Sequence, residues 1–155
     1  SIMATDHIST PFRVKVMGRT IADVTGGHNG VETRVGITYT EGVTKRKMSL
    51  ERFVQVVSTN PAKLLGLYPR KGAIAPGSDA DIVLIDPNFN RKLTKSDLHL
   101  EDYSIWEGWQ VSGWPVMTIL RGRVAVENGK LVLPLGTGQI IPRKVSGDVL
   151  AGPAC

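Results

Sequence analysis

The most constraining feature of the sequence is its first segment, the apolar run 2–4 followed at once by Thr5, Asp6 and His7. An apolar run that ends in a carboxylate and an imidazole is typical of a buried parallel strand that presents a functional side chain at its carboxyl end. In β/α barrels the catalytic residues lie at that end of the strands. We therefore expect residues 2–4 to form a strand and Asp6 to be a candidate catalytic residue.

The chain is too short to contain a complete β/α barrel around this strand. The chain has 155 residues, whereas a barrel of eight strands and eight helices typically needs about 250. The sequence begins at Ser1, already inside the predicted strand. We therefore predict an α/β fold made of the C-terminal part of a β/α barrel, its last strand and following helices, together with part of a small β-sandwich domain.

Composition excludes several classes of partner. The net charge is +5, but the basic residues are scattered along the chain, whereas nucleic-acid binding needs a basic stripe or a recognised module. No apolar stretch approaches the roughly 20 residues of a membrane span, and no signal peptide is visible. The one cysteine, Cys155, cannot form an internal disulfide, which indicates a reducing cytoplasm. We expect neither nucleic acid nor membrane as a partner.

Helical signals dominate the segment that ends at Gly66. A helix is predicted over 36–47, where a basic run suits the C-terminus. Ser49 is a typical N-cap for a second helix, and the pair Asn60 and Pro61 predicts the start of a short third helix. The second helix has one apolar face at helical spacing, formed by Leu50, Phe53, Val54 and Val57.

Short strands and turns replace the helices after residue 68. Strands are predicted over 82–85 and 116–120, where apolar residues are flanked by turn residues. Asn128 and Gly129 lie between two strand-like runs, and this dipeptide is a strong signal for a β-hairpin. The predicted domains are therefore the barrel end 1–68, the β-sandwich portion 69–133 and an extended C-terminal tail 134–155.

Several short motifs occur in a characteristic order along the chain. Ser-Thr-Asn-Pro-Ala-Lys occupies 58–63, Leu-Tyr-Pro-Arg-Lys-Gly occupies 67–72, and Gly-Ser-Asp-Ala-Asp occupies 77–81. With these motifs the chain resembles the dihydropyrimidinase and D-hydantoinase branch of the cyclic amidohydrolases, from about residue 3 to residue 133. The first two motifs are specific to that branch, and the third marks only the wider group. Further matching motifs are 5–7, 30–34, 114–116 and 121–123.

The resemblance implies a metal-dependent hydrolase. Such enzymes carry two metal ions, usually zinc, bridged by a carboxylated lysine and held also by four histidines and a final aspartate. Asp6 matches that aspartate, and the lysine and histidines would lie upstream of this chain. The implied reaction is hydrolytic opening of a cyclic amide such as a dihydropyrimidine or a hydantoin. The implied parent is a homo-oligomer, a tetramer, and this fragment alone would be inactive and metal-free.

The chemistry of the reaction suits Asp6. A water molecule activated by a metal ion needs a carboxylate beside it to accept its proton, and the same group can return that proton to the leaving nitrogen. His7 has two open roles: it supports Asp6 from behind the metal ligands, or it packs under the following loop.

The loop 26–34 departs from the pattern of the family, which is Asn-Gly, any residue, then Pro-Gly-Ile/Val-Glu. Aligned on Glu32 without gaps, the family asparagine falls on Gly26; with one gap it falls on Asn29. The family holds the substrate ring with the backbone amide and carbonyl at that asparagine. Gly26 and Asn29 are therefore both candidate substrate-binding residues, and the choice between them stays open.

Other conspicuous residues have simpler interpretations. His28 and His99 lie in polar segments without metal-ligand spacing, and we expect them to be solvated. The aromatic residues are expected to pack in a core or between subunits; they are Tyr103, Trp106, Trp109 and Trp114. A second functional class is open, a non-catalytic assembly protein that keeps the fold without the metal ligands. The upstream histidines and lysine distinguish the two classes.

Overall fold

The computed structural model describes residues 1–99 and 102–152. Within these residues, helices precede a four-stranded antiparallel sheet, so the mixed α/β class is confirmed. The helices are α1 (Phe12–Lys15), α2 (Arg34–Thr38), α3 (Leu50–Val54), α4 (Asn60–Leu64) and α5 (Gly147–Ala151), and the strands are β1 (Ile82–Lys92), β2 (Gln110–Leu120), β3 (Arg123–Glu127) and β4 (Lys130–Leu131).

The helix expected over 36–47 is present and begins at Arg34. Helix α2 passes directly into a π-helical segment, Tyr39–Lys45. Gly36 lies in α2 at the contact with the sheet, where a Cβ atom would be 2.2 Å from the ring of Trp114. Only glycine therefore allows the helix to approach β2 this closely.

The predicted N-cap at Ser49 is confirmed. Its backbone is extended, and its side chain accepts a hydrogen bond from the Arg52 N–H at 3.2 Å. This bond satisfies one of the N–H groups that have no partner in the first turn of a helix.

The predicted third helix is present as α4, which begins at Asn60 with Pro61 in its first turn, but the predicted N-cap role of Asn60 is wrong. Thr59 and Asn60 both have helical backbone angles, so the chain remains helical from Leu50 to Leu64. Because proline has no N–H and its ring clashes with the carbonyl four residues earlier, an ordinary α-helix cannot continue through Pro61. A π-helical segment, Gln55–Thr59, precedes it and accommodates the proline. The Asn60 side chain instead donates to the Ser1 carbonyl at 2.9 Å.

The sheet has the order β1-β2-β3-β4. The strands expected at 82–85 and 116–120 are parts of longer strands, since irregularities after Leu84 and after Asp86 allow β1 to continue beyond Pro87. The hairpin is confirmed: Asn128 and Gly129 have φ angles of 49° and 75°, as a two-residue turn with two positive φ values requires.

The strand expected at residues 2–4 is absent from the described structure. Met3 instead donates its N–H to the Val56 carbonyl at 3.0 Å. Contact with a neighbouring extended segment begins only at His7, which forms an isolated parallel bridge with His28. A strand requires backbone hydrogen-bond partners in a neighbouring strand along its length. Residues 2–4 lie instead beside the π-helical segment Gln55–Thr59.

The core lies between α2 and the sheet. Ile37, Leu93 and Val111 are buried together, and Thr40 exchanges hydrogen bonds of 3.0 Å with both backbone groups of Ser112. Trp106 and Trp114 pack against this core, as predicted for the aromatic residues; Trp109 is 41% exposed.

The tail is attached at separate points. The Lys144 N–H donates to the Gly66 carbonyl at 3.2 Å, and the Arg121 guanidinium donates to the Thr137 carbonyl at 2.6 Å. Cys155 lies outside the described residues. Among the residues that are described, there is no helix with the length and apolar character needed to cross a membrane. The division at residues 68 and 133 stays a prediction.

Candidate active site

Asp6 lies where the first segment meets the glycine-rich loop. Its carbonyl accepts a hydrogen bond from the His28 N–H at 3.2 Å, and the Ile8 N–H donates to the His28 carbonyl at 3.1 Å. Its φ angle is 47°, which is uncommon for a residue other than glycine. Asp6 is exposed. Strained backbone conformations of this kind cluster at functional sites; the catalytic role of Asp6 stays a prediction.

His7, which follows Asp6 in the sequence, contacts the glycine-rich loop through its side chain. Its Nδ1 accepts hydrogen bonds from the N–H groups of Gly30 at 3.1 Å and Val31 at 3.3 Å. An imidazole nitrogen that accepts carries no proton, so the neutral ring has its proton on Nε2. His7 therefore holds the loop through two backbone N–H groups, and its predicted support of Asp6 stays a prediction.

The backbone at Gly26 and Gly27 lies against the Asp6 segment. Gly27 has a φ of 69°, and a Cβ atom there would be 2.6 Å from the Asp6 carbonyl oxygen and 2.7 Å from Ile8 Cγ2. Glycine is required because a side chain has neither the conformation nor the space. Gly26, the preceding residue, is exposed, and its carbonyl accepts a hydrogen bond from the Lys15 ammonium at 3.3 Å.

Asn29 occupies a different environment. It is 3% exposed, and its side-chain amide donates to the Tyr103 carbonyl. Its Oδ1 has no hydrogen-bond partner within the described structure. The Asn29 side chain therefore connects the loop to the interior, and the choice between Gly26 and Asn29 as the substrate contact stays open.

Asp102 and Tyr103, which contact Phe12 and the glycine-rich loop, could not be identified from the sequence. The Asp102 carboxylate accepts from the Phe12 N–H at 3.1 and 3.3 Å, and the rings of Phe12 and Tyr103 are 5.5 Å apart. These contacts join residues about 90 positions apart in the sequence. No local pattern indicates such a contact.

His99 is exposed, as expected, but it has partners. Its Nδ1 lies 2.5 Å from Glu32 Oε1, its N–H donates to Glu32 Oε2 at 2.9 Å, and its Nε2 lies 3.0 Å from the Gly129 carbonyl oxygen. The hydrogen bond and charge of Glu32 raise the pKa of His99 above its usual 6.5. This ion pair connects the loop to the β3–β4 turn.

The ion pair predicts a pH-dependent contribution to stability. Because the folded pKa of His99 exceeds the unfolded value of about 6.5, the contribution is present below that value and is lost as pH rises through the folded pKa. We expect His99→Gln to lower the urea midpoint at about pH 5.5 and to have little effect at about pH 9. Lys92→Gln, which removes an exposed charge from the end of β1, is the control. An equal loss for His99→Gln at both pH values would contradict the prediction.

The metal-binding capacity of the described residues is small. No group of three or more His, Cys, Asp or Glu residues among them is arranged to hold a metal ion. Asp6 is an exposed carboxylate, and the Nδ1 atom of His7 is occupied by backbone donors. The described residues therefore fit the contribution of one ligand, Asp6, to a metal centre whose other ligands lie elsewhere.

Comparison with known proteins defines the family. The model of the amidohydrolase family matches residues 1–125, which include Asp6, the glycine-rich loop and the sheet up to β3. The chain belongs to the amidohydrolase family. Within that family, the resemblance of this amidohydrolase chain to the dihydropyrimidinase and D-hydantoinase branch is confirmed by the relatives that it matches.

Two curated relatives and one solved structure illustrate the branch. This amidohydrolase chain is 40% identical over 154 residues to the D-hydantoinase of Geobacillus stearothermophilus, covering 96% of the chain and 32% of the relative. It is 38% identical over 152 residues to mouse dihydropyrimidinase-related protein 5, covering 97% and 27%. The structure of D-hydantoinase (dihydropyrimidinase) from Thermus sp. matches with a TM-score of 0.86 and 38% identity, covering 92% and 31%.

The coverage values show how much of each relative's length this chain matches. The amidohydrolase chain spans 27% of the length of the mouse relative and 32% of the Geobacillus relative. Nearly all of this chain is matched, whereas most of each relative has no counterpart in it. The activity of a whole protein of this type is therefore a matter of proposal.

Proposed function

We propose that this chain is part of a metal-dependent hydrolase that opens the carbon–nitrogen bond of a cyclic amide, a dihydropyrimidine or a hydantoin. The observation that carries the proposal is the position of Asp6, an exposed residue whose backbone carbonyl meets the glycine-rich loop through the His28 N–H at 3.2 Å and the close approach of Gly27. A carboxylate next to accessible peptide groups can exchange a proton with a ring that those groups hold. Relatives named D-hydantoinase support the same class of substrate.

In the proposed architecture, residues 2–7 would become the last strand of a β/α barrel only when an upstream strand pairs with them, the helices would form the outer layer of the barrel, and the four strands belong to a β-sandwich domain. Exposed apolar side chains support this assignment. Ile74 is 85% exposed, Val83 48% and Leu84 44%. Apolar surface of this kind is usually covered by another part of a protein, here the upstream polypeptide and the neighbouring subunits of a tetramer.

The proposed roles follow from position. The Asp6 carboxylate accepts a proton from the attacking water and returns it to the leaving nitrogen. The Gly26 backbone orients the ring, and His7 holds the loop through the Gly30 and Val31 N–H groups. Bound zinc, held also by ligands from outside this chain, would supply the positive charge that makes water acidic near neutral pH. Asp6 would be one ligand.

The setting proposed for this enzyme is cytoplasmic, with a small cyclic amide as its substrate. A second candidate, a non-catalytic assembly protein, is favoured by the match to a dihydropyrimidinase-related protein over 97% of the chain. The retained carboxylate at Asp6 favours the hydrolase. The two candidates differ in whether a complete protein containing this chain binds zinc and turns over substrate.

A chimera tests the proposal. The chain replaces the matching C-terminal third of the Geobacillus D-hydantoinase, and hydrolysis of hydantoin and dihydrouracil is measured together with zinc content. We expect the chimera to bind two zinc ions per subunit and to hydrolyse at least one substrate. The 155-residue chain by itself is expected to bind no stoichiometric zinc and to hydrolyse neither.

The controls separate the possible outcomes. The same enzyme without its C-terminal third should be inactive, which shows that any activity depends on the added chain. A folded chimera with two zinc ions and no turnover would favour the assembly protein. Two tightly bound zinc ions in the isolated chain would contradict the assignment of Asp6 as one ligand of a centre completed from outside.

A further inference from the structure

Lys15 occupies a position that no motif indicates, beneath the loop that faces Asp6. Its ammonium group donates to three consecutive carbonyls: Thr25, Gly27 at 2.6 Å and Gly26 at 3.3 Å. An ammonium has three N–H donors, so this arrangement uses its full donor capacity on one stretch of backbone. The side chain is only partly exposed, which strengthens these bonds relative to bonds in water.

The loop is consequently held from both sides. On one side, Gly27 leaves no space between the loop and Asp6, and the His28 N–H donates to the Asp6 carbonyl at 3.2 Å. On the other side, Lys15 draws the carbonyl oxygens of the same residues towards one point. Three carbonyl dipoles that converge repel one another unless a cation neutralises them, because like partial charges are unfavourable at short distance.

We propose that Lys15 is a positioning residue that fixes the peptide groups of Gly26 and Gly27 relative to the Asp6 carboxylate, and so determines how well the cyclic amide binds. The inference rests on the proposed function for its substrate, but the contact that it invokes belongs to the chain itself. Lys15 does not touch the reacting atoms. It acts through the backbone that does.

The first test measures the loop directly, without activity. Amide hydrogen exchange is followed at residues 26–28 in the 155-residue chain and in the chimera, comparing Lys15→Met with the unsubstituted protein. We expect exchange at these amides to accelerate at least tenfold, the factor that corresponds to about 1.4 kcal/mol of lost stabilisation. Exchange in α2 should stay unchanged. Unchanged exchange at 26–28 would overturn the proposal whether or not the chimera is active.

The matched control is Lys47→Met. Lys47 also donates to a backbone carbonyl, that of Thr44 at 3.1 Å, but this carbonyl lies in the π-helical segment Tyr39–Lys45 and not in the glycine-rich loop. Its substitution should leave exchange at residues 26–28 unchanged. Acceleration of equal size in both variants would show a general loss of stability and contradict the specific role of Lys15.

The second test uses the kinetics of the chimera. Lys15→Met should raise KM for the cyclic amide about tenfold with little change in kcat and none in zinc content, because it disturbs the binding of the ring and leaves Asp6 in place. Lys15→Arg, which keeps the charge and the donors, should restore most of the affinity. An active chimera with an unaltered KM in Lys15→Met would overturn the proposal. An inactive unsubstituted chimera would count against the proposed function alone, since hydrogen exchange still tests Lys15.

Discussion

Replacing Asp6 by Asn in the chimera is expected to lower kcat by roughly 10²- to 10⁴-fold, the range of general acid–base catalysis. The amide has nearly the same shape as the carboxylate, but it is not a base at neutral pH and is a poor metal ligand. The Asp6 backbone carbonyl, which accepts from the His28 N–H at 3.2 Å, is not altered. Steady-state kinetics, zinc analysis and circular dichroism of the purified variant provide the measurement.

The control for Asp6→Asn is Asp148→Asn. Asp148 is an exposed carboxylate in α5, so the variant makes the same chemical change at a position outside the candidate site. Its kcat should match that of the unsubstituted chimera. Near-normal turnover of Asp6→Asn with unchanged zinc content would contradict both roles assigned to Asp6.

Replacing Gly113 by Ala is expected to destabilise the chain by about 2–5 kcal/mol. Gly113 lies in β2 with a φ of 86°, and a Cβ atom there would be 2.2 Å from Tyr39 Cδ1. The left-handed backbone costs about 1–2 kcal/mol for a residue with a Cβ, and forcing an atom into packed side chains costs about 1–3 kcal/mol. Urea unfolding followed by tryptophan fluorescence measures the change in the free energy of unfolding.

Gly122→Ala is the matched control for Gly113→Ala. Gly122 has a φ of 75°, but nothing lies within 4 Å of its Cβ position. Alanine at this position therefore incurs only the cost of the left-handed backbone conformation, and the free energy of unfolding should fall by about 1–2 kcal/mol. Equal losses in the two variants would show that contact with Tyr39 contributes nothing, and that the approach of the π-helical segment to β2 does not depend on glycine.

Signals that act over a few residues could be recognised from the sequence. Ser49 caps its helix because the side chain reaches an N–H three residues ahead, and this depends only on local spacing. Asn128 and Gly129 form their turn because both tolerate positive φ. The pair Asn60 and Pro61 marks the start of α4 as predicted, but Asn60 does not cap it, since a π-helical segment leads directly into the helix.

The candidate site could be predicted only in part. Asp6 and the glycine-rich loop were identified from their order in the sequence, and the structure places Gly27 against Asp6. The choice between Gly26 and Asn29 was open in the sequence, because an alignment carries no information on how exposed each residue is. Asn29 is 3% exposed and Gly26 is exposed, a difference that only the tertiary structure shows, and the substrate contact itself stays a prediction.

The sequence by itself determined the mixed α/β class, the hairpin turn, the helix cap and the family, because each depends on residue type and short spacing. Tertiary structure alone decided which groups surround Asp6. Lys15 reaches the carbonyls of the loop, and Asp102 binds the Phe12 N–H from 90 residues away. Such contacts depend on how distant segments pack. No residue type or spacing in the sequence encodes that packing locally.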